Sequence, residues 1–235
     1  MTAAFAVAAK RGQDEIRFLS PVVDGSVLPA DPFDPVAPAL SADVPLMIGT
    51  NKDEMTLFVA GAPWFGKLTD EQLATQVKAR PKGEALLAAL RKTYPDYSPS
   101  YLMAQVVGSF MLDGSITIAD RKSAQGRAPV YMYRLLWETP VGNGVFKSPH
   151  TLEIPLVFDN VERARPLLGP GPDPQRLADQ MSSAWLAFAR TGNPNNAAIP
   201  EWPAYTAARR ATMEFGLASR VADDPVQAIR QALQG

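Results

Sequence analysis

The chain has 235 residues, 46% of them hydrophobic, with 23 basic against 24 acidic side chains, no cysteine and a single histidine. That is enough apolar material for a substantial core, and near-cancelling charge with no stripe of Lys and Arg argues against nucleic acid as a partner. The missing cysteines exclude disulfides and cysteine-based zinc sites, and one histidine cannot build a multi-histidine metal centre. No cofactor is expected, and any imidazole chemistry must run through His150.

The opening residues MTAAFAVAA are mildly apolar, but Lys10 and Arg11 follow them, whereas an export signal carries its positive charge first. No export signal is read there, and no apolar run approaches the ~20 residues that span a bilayer. Residues 17–45 carry Pro21, Pro29, Pro32, Pro35, Pro38 and Pro45, which predicts an extended approach without helices. PLMIGT, residues 45–50, is a short apolar run between Pro45 and polar residues, and reads as a buried strand.

Thr69 and Gln72 have the spacing of a capping box, so a helix is expected over about 70–79. A second should run from Gly83 to Tyr94, with Leu86, Leu87 and Leu90 on one face and Pro95 ending it. A third starts near Ser98 or Pro99 and stops at Gly126. Residues 129–137, PVYMYRLLW, form a second strand, followed by a loop with Gly142, Asn143 and Gly144. Asp173 is expected as N-cap of a long helix reaching Arg190 and closed by Gly192. Ala211–Phe215 reads as a third strand and residues 225–233 as a last helix.

The pattern is an α/β layer arrangement. Three short strands are few for this length. Either strands go unread or part of the sheet lies outside the chain.

Two stretches carry polar chemistry. In VPLMIGTNKDEMTLF, residues 44–58, Asp53 and Glu54 emerge at the carboxyl end of a strand, the edge where ligands collect in open α/β sheets. From spacing alone the reading as two acids of a solvated loop is the favoured one. In FKSPHTLEIPLVF, residues 146–158, His150 follows the second strand, which by itself is a weak signal.

Together these segments resemble the type-B carboxylesterase and cholinesterase family, on the side of its bacterial para-nitrobenzyl-esterase-like members. PVVDGSVLP (21–29) is similar to that family's approach loop, NKDEMTLF to its acid segment and HTLEIPLVF to its histidine segment, and MSSAWLAFARTGNPN (181–195) and PEWPAY (200–205) to its last part. The resemblance covers the chain from about Phe18 onward. It implies the C-terminal part of an α/β-hydrolase fold, an incomplete sheet with covering helices, over residues 1–235.

It further implies that Glu54 is the acid and His150 the base of a serine-histidine-glutamate mechanism acting on small-molecule esters. The order acid before histidine fits such hydrolases. Asp53 and Asp113 rank below Glu54, and Glu153 reads as a supporting or surface residue.

No Gly-x-Ser-x-Gly elbow and no glycine-rich oxyanion segment occur in the sequence. Ser109 and Ser115 follow glycines but lie in a helix-forming run. The expectation is therefore a chain without its nucleophile, inactive alone, whose partner is the missing N-terminal half. The alternative is a non-catalytic binding or adhesion-like protein on the same scaffold. Trp64, Phe65 and Phe110 are candidates for a substrate wall or for core packing, and Trp137, Trp185 and Trp202 for core.

Overall fold

A computed structural model describes residues 21–235. The opening segment, and the reading of no export signal there, lies outside the described residues, as do positions 17–20 of the proline-rich approach. From residue 21 that approach runs as turns and extended backbone up to a short 3-10 turn, Ala39–Ser41. Asp24 folds PVVDGSVLP back, its Oδ1 accepting from the amides of Ser26 at 2.9 Å and Leu28 at 3.0 Å.

Strands β1 (Leu46–Asn51), β2 (Val130–Leu135) and β3 (Ala211–Phe215) lie side by side and parallel, and β4 (Arg220–Asp223) runs antiparallel to β3. The first three are the apolar runs read as strands. The fourth, RVAD, is too short and too polar to register, and it forms because the turn after Phe215 returns the chain alongside β3. Part of the apparent shortage of strands was thus an unread strand.

Between β1 and β2 the chain makes α1 (Thr56–Val59), α2 (Asp70–Lys78), α3 (Gly83–Thr93) and α4 (Pro99–Ala124). Between β2 and β3 it makes α5 (Glu153–Val157), α6 (Arg165–Leu168) and α7 (Asp173–Thr191), and α8 (Gln227–Gln234) follows β4. The single-turn helices α1, α5 and α6 are too short to leave a periodic signal.

Successive strand residues point to opposite faces. Leu46, Ile48, Val130 and Met132 pack under α2, α3, α4 and α8, whereas Tyr131, Leu135, Met213 and Phe215 pack under α5 and α7. The result is three layers with a core on each side of the sheet. Trp202 is fully buried in the second core, with Trp137 and Trp185 against it. At Gly49 a Cβ would lie 2.3 Å from the Tyr133 carbonyl oxygen, so the close approach of β1 to β2 requires glycine there.

The helix ends follow local chemistry. Thr69 Oγ1 accepts from the Gln72 amide at 3.2 Å while Gln72 Oε1 accepts from the Thr69 amide at 3.0 Å, the reciprocal capping box. Gly192, in the left-handed region, closes α7 by donating to the Phe188 carbonyl at 2.7 Å. Asp173 departs from expectation. It is the first helical residue rather than the cap, and its side chain makes no capping bond because Pro172 occupies that position.

One helix, α4, is an exception by average composition to the reading that no apolar run suffices to cross a bilayer. Averaged over 18 residues, α4 reaches a mean hydropathy of 1.4, long and apolar enough by length and composition to cross a membrane. Isolated polar residues such as Gln105 and Asp113 break the apolar run, and the aliphatic residues around them still hold the average at that value. In the structure Leu102, Met103, Val106 and Ile116 of this helix belong to the first core.

Candidate active site

β1 ends on two buried polar residues, and the turn after it is built from side chains that satisfy backbone groups. Thr56 Oγ1 donates to the Asp53 carbonyl at 2.7 Å, and its amide donates to the same oxygen at 3.0 Å, starting α1. Asn51 is 3% exposed although it is polar, because its Nδ2 donates to the Pro149 carbonyl at 2.7 Å and to Glu153 Oε2 at 2.5 Å. Those partners belong to the segment after β2. The strand end is thereby tied to residues 98 and 102 positions away.

That second segment reaches the same place through a tight loop. Gly142 and Asn143 adopt left-handed backbone inside a 3-10 turn at Val141–Gly144, and the chain returns to the sheet at Ser148, whose Oγ donates to the Leu135 carbonyl at 3.0 Å. Two residues later His150 meets Glu54. His150 Nδ1 lies 2.6 Å from Glu54 Oε2, and the His150 amide donates to the Glu54 carbonyl at 3.2 Å. The other carboxylate oxygen, Oε1, accepts from the Asn51 amide at 2.7 Å.

The Glu54 side chain is 13% exposed and that of His150 41%. Burial is the largest influence on the Glu54 carboxyl and raises it above the ordinary glutamate range, opposed by the Asn51 amide and by His150. With Glu54 ionised, Nδ1 carries the proton and donates, which leaves the Nε2 lone pair free to act as a base. Among the described residues Nε2 has no hydrogen-bond partner. The Phe58 ring stands beside the imidazole, its centroid 5.5 Å away and tilted by 40°.

The lower-ranked acids fall elsewhere. Asp53 is buried and its carboxylate faces away from the imidazole, onto Tyr97, Gln105 and the Ser148 amide. Asp113 sits on α4, where Gln234 of α8 donates to it at 3.4 Å. Glu153 holds Asn51, the supporting place read for it. Ser109 and Ser115 both lie inside α4, and the Ser109 hydroxyl donates to the Val106 carbonyl at 2.9 Å.

A cavity of about 30 Å³, room for roughly one water, separates Glu54 and Asn51 from Ser109 and Gln105. None of Trp64, Phe65 and Phe110 lines it. Trp64 packs on the first core, Phe65 stands edge-on to Tyr101 at 5.1 Å, and Phe110 is exposed. Asn51, Ser148, Tyr97 and Gln105 are the site residues that the sequence reading did not single out. Only Asn51, a polar side chain closing a buried strand, carried a local signal. Among the described residues no group of His, Asp and Glu is disposed to hold a metal ion.

A model of the carboxylesterase family matches residues 1–232. The para-nitrobenzyl esterase of Bacillus subtilis is 30% identical over 220 residues, 92% of this chain and 43% of that protein. A phenmedipham hydrolase of Pseudarthrobacter oxydans is 28% identical over 83% of this chain and 40% of its own length. Among solved structures, the Geobacillus stearothermophilus carboxylesterase EST55 superposes with a TM-score of 0.73 at 37% identity, over 92% of this chain and 45% of that one. The chain spans less than half the length of the relatives it matches. Over that span, with an α/β-hydrolase architecture, the chain belongs to the carboxylesterase family.

Proposed function

We propose that residues 1–235 are the C-terminal portion of a carboxylic-ester hydrolase, supplying the acid and the histidine of its triad. The observation that carries this reading is the 2.6 Å contact between Glu54 Oε2 and His150 Nδ1 with Nε2 left open. A serine hydroxyl contributed from outside these residues attacks the ester carbonyl. His150 Nε2 takes the hydroxyl proton and returns it to the departing alcohol, and Glu54 holds the tautomer and stabilises the imidazolium. Water then attacks the acyl-enzyme by the same route.

Backbone donors to the tetrahedral oxyanion also come from outside the chain in this reading. The proposed substrates are small-molecule esters, and the proposed partner is the nucleophile-bearing half of the same enzyme.

The test is complementation. The purified chain should hydrolyse short nitrophenyl esters no faster than buffer, and joining it to the upstream half of a close homologue, by fusion or co-expression, should produce turnover. In the joined enzyme His150→Ala should reduce kcat by roughly 10⁴-fold or more, and Glu54→Gln should be severe but milder, since triad members act as a unit. Turnover by the unsupplemented chain that survives His150→Ala overturns the reading. A joined, folded protein without turnover favours the binding-protein alternative.

A further inference from the structure

We infer that Asp53 is a positioning residue for His150, acting through the backbone of the histidine loop rather than touching the imidazole. The inference rests on the role proposed above for His150, but its geometry stands independently of catalysis. Asp53 is 2% exposed, and its carboxylate is the meeting point of three segments distant in sequence. Oδ1 accepts from the Tyr97 hydroxyl at 2.6 Å, just before α4, and from Gln105 Nε2 at 2.9 Å, within α4. Oδ2 accepts from the Ser148 amide at 3.2 Å, with Lys52 Nζ 3.8 Å away.

The backbone completes a ring, because the Asp53 amide donates to the Ser148 carbonyl at 2.8 Å. Ser148 is therefore held at both its amide and its carbonyl by one residue. The next rung of the same ladder is the pair Glu54 and His150, held at backbone and side chain. Fixing Ser148 fixes the origin of the two-residue arm that carries the imidazole. Tyr97 and Gln105 in turn prevent the Asp53 side chain from rotating, so α4 sets the height of the histidine loop above the sheet. A buried carboxylate with donors from three sides is costly unless every donor is kept, which makes the node stiff. Gln105 Nε2 also donates to the Lys52 carbonyl at 2.9 Å, adding a second tie between α4 and the acid turn.

Because His150 is the only histidine, its ring nitrogens and ring protons can be followed by NMR in the full chain without assignment ambiguity and without turnover. The wild type should show a strongly downfield proton on Nδ1, bonded to Glu54. In Asp53→Asn the side-chain shape is kept, but an NH₂ group or a neutral carbonyl replaces the charged acceptor facing the Ser148 amide. The Nδ1 proton should broaden or move upfield, with the fold retained by circular dichroism.

Glu54→Gln gives the reference for direct loss of the partner. Should Asp53→Asn fail to fold, Tyr97→Phe combined with Gln105→Met removes the two donors to Oδ1 and should give a smaller displacement in the same direction. His150 ring signals unchanged from wild type in a folded Asp53→Asn, or in the double variant when that one is unfolded, overturn the inference. In the joined enzyme Asp53→Asn should lower kcat by roughly 10–100-fold with KM nearly unchanged, the signature of a displaced base. If ring signals respond while His150→Ala leaves turnover intact, the positioning stands and the catalytic reading of His150 falls.

Discussion

The two edges of the sheet are finished in opposite ways. The β4 edge is four residues long, antiparallel, and ends on exposed Arg220 and Asp223. Both charges are engaged, Arg220 with Glu214 at 2.9 Å and Asp223 with Arg209 at 2.8 Å. Short, charged edges are a standard way to keep a sheet from pairing further. β1 has six residues, begins Leu46-Met47-Ile48-Gly49, carries no charge, and among the described residues pairs only with β2.

The bonding pattern of β1 says which groups are open. The Leu46 amide donates to the Pro129 carbonyl and the Lys52 amide to the Leu135 carbonyl, so the even-numbered amides face β2 and those of Met47, Gly49 and Asn51 face the other side. The Asn51 amide is already taken by Glu54 Oε1. Among the described residues the two outward amides at Met47 and Gly49 have no partner, directly upstream of the acid turn. Among the described residues one edge of this sheet is closed by charge, and the other presents open backbone amides.

The strongest way to break that contrast is Met47→Pro. Proline deletes an outward amide and leaves the β1–β2 ladder intact, and an extended residue before it suits Leu46. Complementation by the upstream half should fall to background, while the variant alone keeps its circular dichroism and, by light scattering, associates less than the parent chain. Complementation as efficient as the parent's would mean that β1 does not pair outward. At the other edge, Arg220→Ala should leave complementation unchanged and cost about 1–2 kcal/mol in urea unfolding, because Glu214 is only 5% exposed and loses its nearest cation. A loss of complementation in Arg220→Ala would erase the distinction between the edges.

How much of this could be read from the sequence depends on how far apart the interacting groups are. The Thr69–Gln72 box and the Gly192 cap are encoded within a few residues, and so are the three apolar strands. β4 escaped because RVAD becomes a strand only by pairing with β3. The meeting of Glu54 with His150 spans 96 positions, and spacing alone left the acids of that turn readable as solvated. Family resemblance, not periodicity, brought the two segments together. The Asp53 node escaped altogether, since Tyr97, Gln105 and Ser148 acquire meaning only when α4 and the histidine loop are folded against the same turn.

The smallest expected effect is a slope rather than a loss, and it tests whether the open end of β1 is as buried as its geometry implies. Glu54 is raised chiefly by burial, with the Asn51 amide and His150 opposing. A carboxyl whose folded pKa lies above its unfolded one contributes stability that is fully present below the unfolded pKa and is lost as pH rises through the folded pKa. Between the ordinary glutamate range and the raised value, unfolding free energy of the wild type should therefore fall relative to Glu54→Gln as pH increases. Urea midpoints at half-unit intervals from pH 4 upward, with both proteins in the same buffers, read this difference directly. Because His150 loses its carboxylate partner in Glu54→Gln, the comparison should be repeated in the His150→Ala background, where burial and the opposing Asn51 amide remain as the main influences on Glu54. A difference that rises with pH in that background would show that the Asn51 amide outweighs burial at Glu54, so that the 13% exposed side chain at the end of β1 is governed by its hydrogen bond rather than by desolvation.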